Sequence, residues 1–150
     1  MDAMTPATDL PEVKETVFRV SVDNVHLIWP QLERLLALPL ALRPTHNAED
    51  VYKMLLAQMV QLWVQMDDAK LEAFVITEFE VCPRGIWLRA WLAGADREAQ
   101  FDSWRLEEAI TAWAKANNCR GISAAGRLGW LKRFPAAKFE GALMRVTWDG

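Results

Sequence analysis

Residues 61–93 read QLWVQMDDAKLEAFVITEFEVCPRGIWLRAWLA, and the fold turns on how this stretch is divided. Residues 61–66 (QLWVQM), 71–81 (LEAFVITEFEV) and 86–93 (IWLRAWLA) are rich in β-branched, aromatic and aliphatic side chains. Asp67-Asp68-Ala69 and Cys82-Pro83-Arg84-Gly85 are turn residues between them. Strands joined by such short breaks form an antiparallel meander. Side chains alternate along a strand, so Glu78 and Glu80 share one face and Thr77 and Phe79 the other. The pattern puts the two glutamates on the wet face of the hairpin.

Downstream, residues 99–117 carry the clearest helical period in the chain. Leu106, Ala109, Ile110, Trp113 and Ala114 form its apolar stripe, and Asn117-Asn118 stops it. Residues 120–125 (RGISAA) read as a strand, 128–134 as a short helix ended by Pro135, and 142–148 (ALMRVTW) as a last strand. A long helix between the fourth and fifth strands is a crossover, so those two strands run parallel.

Upstream, residues 16–22 (TVFRVSV) alternate and form the first strand. Asp23 and Asn24 are helix caps for a stripe of Val25, Leu27, Ile28, Leu32, Leu35 and Leu36. Pro30 either kinks that helix or marks its first turn, and Pro39 and Pro44 end the segment. Asn47-Ala48-Glu49-Asp50 resembles a capping box before Val51, Met54, Leu55, Gln58 and Met59, a second helix. Residues 1–15 are polar, contain two prolines and read as a tail or arm, leaving 16–150 as a single domain. The expected class is α/β of the α+β kind: a mixed, mostly antiparallel sheet of about six strands flanked by about four helices.

The composition supports one core. The chain has 150 residues, 52% hydrophobic and 25% charged, enough for a domain without disulfides or metal. Eight tryptophans (29, 63, 87, 91, 104, 113, 130 and 148) touch nearly every element. They suit a Trp-rich core, or, where exposed, a partner surface. The net charge of −3 argues against a general nucleic-acid binder. Residues 119–150 hold six basic and two acidic side chains, against 11 and 18 in the remainder. Such a basic end is a solvated face or a contact for an acidic partner. Cys82 and Cys119 have no ligand spacing and suit a reduced, cytoplasmic setting. The start lacks a signal-peptide pattern, and no run of about 18 apolar residues spans a membrane.

The element order, and the stretches Gln61-Leu62-Trp63-Val64, Val75-Ile76-Thr77-Glu78 before Pro83, Trp113-Ala114-Lys115-Ala116 before Cys119, and Gly126-Arg127-Leu128-Gly129-Trp130, carry a resemblance. Over residues 17–148 the chain resembles the GNAT (N-acetyltransferase) superfamily, and within it the small GNAT-like proteins encoded by tailed bacteriophages. In that superfamily the acyl-CoA pyrophosphate sits at the N-terminus of the long helix, where free backbone N–H groups and the helix dipole attract it. The motif there resembles Arg/Gln-x-x-Gly-x-Gly/Ala. The matching place here is residues 93–99 (AGADREA), which makes Gly94, Ala95 and Arg97 the cofactor-binding candidates. The motif spacing is incomplete, and Asp96 and Glu98 bring negative charge to a seat meant for a polyanion.

Acetyl transfer needs a base for the amine and an acid for the leaving thiolate. The family often supplies a Glu near the fourth strand and a Tyr near the late short helix. Here residues 86–93 contain Arg89 and no carboxylate, so Glu78 and Glu80 are the candidate bases. The late helix has no Tyr, and the chain's one tyrosine, Tyr52, lies on the second helix. His26 and His46 are isolated, and no His/Cys/carboxylate cluster has metal spacing. The resemblance thus implies a GNAT-like phage protein, catalytically degenerate and without a cofactor, acting as a structural or interaction protein in the virion or host cytoplasm. Its partners would be capsid, portal or tail proteins, or a second copy of itself. The alternative is an acetyl-CoA-dependent N-acetyltransferase acting on a host protein or small amine.

Overall fold

The computed structural model describes residues 15–96 and 104–124. Strand β1 spans Glu15–Arg19. A 3₁₀ turn at Val22–Asn24 leads into helix α1, Val25–Ala41, followed by α2, Ala48–Leu56. Strands β2 (Gln61–Asp67), β3 (Lys70–Cys82) and β4 (Gly85–Ala95) make the meander. Helix α3, Trp104–Ala116, crosses to β5, Ile122–Ala124.

The sheet order follows the chain, β1-β2-β3-β4-β5. The first three pairings are antiparallel, and β4 pairs β5 in parallel from Leu88↔Ile122 to Ala90↔Ala124. Both connections in the meander are tighter than the turn residues suggest. Asp67↔Lys70 and Cys82↔Gly85 are already paired, so each loop is two residues long. Asp68 adopts φ 53° and Gly85 φ 137° to make these turns. The expected helix at 128–134 and strand at 142–148 lie outside the described residues.

The first strand stops at Arg19, three residues earlier than its alternation suggests, because Val22–Asn24 winds into the 3₁₀ turn. Asn24 caps α1 by position, without a side-chain hydrogen bond. Pro39 does not end α1, which continues to Ala41 with both Pro30 and Pro39 inside it. The capping box is present: the Asn47 side chain accepts from the Asp50 N–H, and the Asp50 carboxylate accepts from the Asn47 N–H, both at 2.9 Å.

The sheet is covered on both faces. On one, Val25, Ile28, Leu32 and Leu36 of α1 and Val51 and Leu55 of α2 pack on Leu62, Val64, Phe74, Ile76 and Leu92. On the other, Leu106, Ile110 and Ala114 of α3 pack on Trp63, Ala73 and Leu88. Gln31 fastens α1 to the β2–β3 turn, donating to Ala69 O (2.9 Å) and accepting from Leu71 N (2.8 Å). The tryptophans whose burial is described follow the core reading: Trp63 is buried, and Trp29, Trp87, Trp91 and Trp113 are half-buried.

Candidate functional site

Two register shifts interrupt the meander, and the second creates the site. Thr77 pairs with Ala90 and Ile76 with Leu92, so Trp91 is an extra residue in β4, a β-bulge. The bulge moves the strand's face pattern by one residue. Before it, Leu88 points to α3; after it, Leu92 points to α1. The described pairing of β5 reaches Ala90, the residue before the bulge.

The α1–α2 connection lies on this bulge. Arg43 donates from Nη2 to the Trp91 carbonyl (3.0 Å) and from Nη1 to the Pro39 carbonyl (3.2 Å), bridging the end of α1 to β4. The His46 ring meets the Trp91 indole edge-on, 4.8 Å between centroids and 71° between planes. His46 Nδ1 is 2.8 Å from Thr45 Oγ1. His46 is half-buried. Trp29 of α1 and Tyr52 of α2 pack with ring centroids 4.7 Å apart and planes tilted by 58°.

Glu78 lies next to the bulge. It pairs with Arg89 across β3 and β4, one step before Thr77↔Ala90. Arg89 delivers Nε at 2.9 Å and Nη2 at 2.7 Å to the same oxygen, Glu78 Oε2. The carboxylate is therefore half of an ion pair, with side-chain exposures of 40% for Arg89 and 28% for Glu78. Glu80 is exposed, opposite Trp87. The alternation expected of this strand holds: Thr77 and Phe79 face α3. Thr77 Oγ1 accepts from Trp63 Nε1 (3.0 Å) and donates to Gln61 Oε1 (2.8 Å), while Phe79 stacks on Trp113 at 5.3 Å.

The cofactor candidates separate. Gly94 faces α1, and a Cβ there would sit 2.8 Å from Phe74 Cε1 and 3.2 Å from the Leu35 carbonyl oxygen. That carbonyl lacks its helical donor because residue 39 is proline. The place is thus a close crossing of helix and strand, and its glycine has a packing cause. Ala95 is exposed and pairs with Ala73. Arg97 and Glu98 lie outside the described residues. Asp96 continues the strand geometry, its N–H donating to Glu72 O (2.8 Å), and its carboxylate is 3.3 Å from Lys70 Nζ. One of the two acids counted against a phosphate seat therefore has a counterion of its own. Asp96 and Lys70 also line a cavity of about 310 Å³ with Gln31, Arg34, Leu35 and Leu71.

The sequence reading missed His46 and Trp91 as a pair. The capping box beginning at Asn47 placed His46 in a loop, but nothing local signals a partner 45 residues away. Among the described residues, no three His, Cys, Asp or Glu side chains gather as a metal site, and no helix is long and apolar enough to cross a membrane.

No protein-family model matches the chain, and no curated protein matches it. Solved structures do. An aminoglycoside acetyltransferase from an uncultured soil metagenomic sample, solved with trehalose, superposes with a TM-score of 0.72 at 12% identity, over 92% of this chain and 98% of that one. A ribosomal-protein-alanine N-acetyltransferase from Brucella melitensis gives 0.64 at 14% identity, over 89% and 99%. A predicted acetyltransferase from Clostridium acetobutylicum, solved with acetyl-CoA, gives 0.66 at 9% identity, over 89% and 96%. At such identities the likeness is one of fold.

Proposed function

Because the fold is that of the GNAT acetyltransferases, we propose that the chain is an acetyl-CoA-dependent N-acetyltransferase working at the Trp91 bulge. The observation that carries this reading is the position of that bulge. It directly follows the β4 residues that pair in parallel with β5, with the α1–α2 connection across one face. The bulge takes Trp91 out of the β3 ladder, and irregular strand backbone of this kind suits an extended donor such as pantetheine, whose amides can bond to strand backbone. The donor's phosphates would fall toward the N-terminal side of α3. Lys70 beside Asp96 lowers the electrostatic cost of a polyanion nearby. Gly94 makes room for the Phe74 ring and the Leu35 carbonyl. An amine would reach the bulge from the α1–α2 face.

Calorimetry with acetyl-CoA tests this reading, together with release of CoA in the presence of an aminoglycoside, spermidine or a peptide with a free N-terminus. Binding is expected to add about 2.7 kcal/mol of stability at 100 times the dissociation constant. Absence of both heat and thermal shift would reject it.

The Glu78–Arg89 ion pair and the filled space at Gly94 favour a second reading. In it the domain is a catalytically silent GNAT-like protein of a tailed bacteriophage, located in the virion or host cytoplasm and bound to capsid, portal or tail proteins. Mass spectrometry of purified particles tests it. Absence of the chain from mature and immature particles, with acetyl-CoA binding intact, would remove it.

A further inference from the structure

We infer that His46 is the proton acceptor for the attacking amine, a role that rests on the acetyltransferase reading. Three observations converge on this ring. It lies against the side chain of the bulge residue, Trp91, at 4.8 Å. It is half-buried in the α1–α2 connection, the side assigned to the amine in the acetyltransferase reading. Its Nδ1 is held by Thr45 Oγ1 at 2.8 Å, which fixes the ring and, with Nδ1–H as donor, leaves the Nε2 lone pair free to accept a proton. Among the described residues no other hydrogen bond engages that ring. Glu78, the carboxylate nearest the bulge in register, has Oε2 occupied by two guanidinium donors.

The charged groups nearest His46 in sequence are engaged elsewhere. From the α1–α2 connection the charged group is Arg43, whose guanidinium is spent on the Trp91 and Pro39 carbonyls. From the start of α2 it is Asp50, whose carboxylate caps Asn47 N, while Glu49 is turned to Lys53 at 3.1 Å. From β4, the residues flanking Trp91 are Ala90 and Leu92, which carry no charge. The step balances as follows. The amine nitrogen forms a bond to the thioester carbonyl carbon, the C–S bond breaks, and CoA leaves as thiolate. His46 takes one proton from the amine nitrogen, and one proton returned through solvent makes the CoA thiol. The products are an amide and CoA, with no oxidant or reductant needed.

The experiment uses the full chain with acetyl-CoA, and spermidine, a lysine-containing peptide or water as nucleophile, following released thiol across pH. Calorimetric affinity for acetyl-CoA is measured in parallel. Wild-type turnover should fall at acid pH, because a protonated ring cannot accept a proton. His46→Gln should turn over about 10²-fold to 10⁴-fold more slowly and lose that acid limb, with acetyl-CoA affinity within about twofold of wild type. His46→Ala should regain turnover on addition of free imidazole, which a merely structural ring would not do. The inference is overturned if His46→Gln keeps the rate or the acid limb, if imidazole fails to rescue a folded His46→Ala, or if the wild type binds acetyl-CoA yet releases no CoA to any of these nucleophiles. Failure to bind acetyl-CoA at all is read separately by calorimetry and brings down the acetyltransferase reading itself.

Discussion

Replacing Gly94 with alanine separates a packing glycine from a phosphate-seating one. The new Cβ would meet Phe74 Cε1 at 2.8 Å and the Leu35 carbonyl oxygen at 3.2 Å. Ordinary carbon–carbon contact begins near 3.5 Å, so the ring or the helix must yield by more than half an ångström, about 0.7 Å if the ring alone moves. Neither has room: Phe74 is 1% exposed and Leu35 O belongs to the α1 backbone. Overpacking of this kind costs about 1–3 kcal/mol, and removing a glycine from a strand returns about 0.5–1 kcal/mol. The expected net loss is about 1–2 kcal/mol, a fall in Tm of about 2–8 °C for a chain of this size. Urea unfolding and calorimetry give the two readouts. Combining the change with Phe74→Leu should cost less than the sum of the two single variants, by about 1 kcal/mol, because the clash is shared. A Gly94→Ala protein as stable as wild type that has lost acetyl-CoA binding would refute the argument, since it would place the glycine against the cofactor.

Three further outcomes follow from the same geometry. Thr77→Val leaves the Trp63 indole N–H buried without its acceptor and should cost about 1–3 kcal/mol in chemical denaturation, whereas Thr77→Ser should cost less. Asn47→Ala removes the reciprocal cap of α2 and should cost about 1 kcal/mol by the same measurement. Gln31→Leu cuts both tethers from α1 to the β2–β3 turn; hydrogen exchange should quicken at the Leu71 amide, and an unchanged rate there would count against the tether.

Much of the fold was legible because it is written in local patterns. The alternation in residues 61–93 fixed three strands, and the period expected over 99–117 fixed the long helix, described from Trp104 to Ala116, while 99–103 lie outside the described residues. A crossover of that length then required β4 and β5 to run parallel, as they do. The Asn47–Asp50 box was readable because both hydrogen bonds close within four residues. The pairing of Thr77 and Phe79 against Glu78 and Glu80 followed from the two-residue repeat of a strand.

The site was a different matter, because each of its features joins distant parts of the chain. A bulge is an extra residue relative to a partner strand, so nothing in IWLRAWLA singles out Trp91 until its register with β3 is known. Gly94 resembled part of a phosphate motif, and only the crossing of α1 over β4, with a carbonyl left unbonded by Pro39, shows what its missing side chain makes room for. His46 looked isolated because its neighbour is 45 residues away. The sequence determined which segments become strands and helices, since backbone propensity and apolar spacing act over a few residues. Tertiary structure alone decided which side chains meet at the bulge, since those meetings depend on register and on how one helix lies across the sheet.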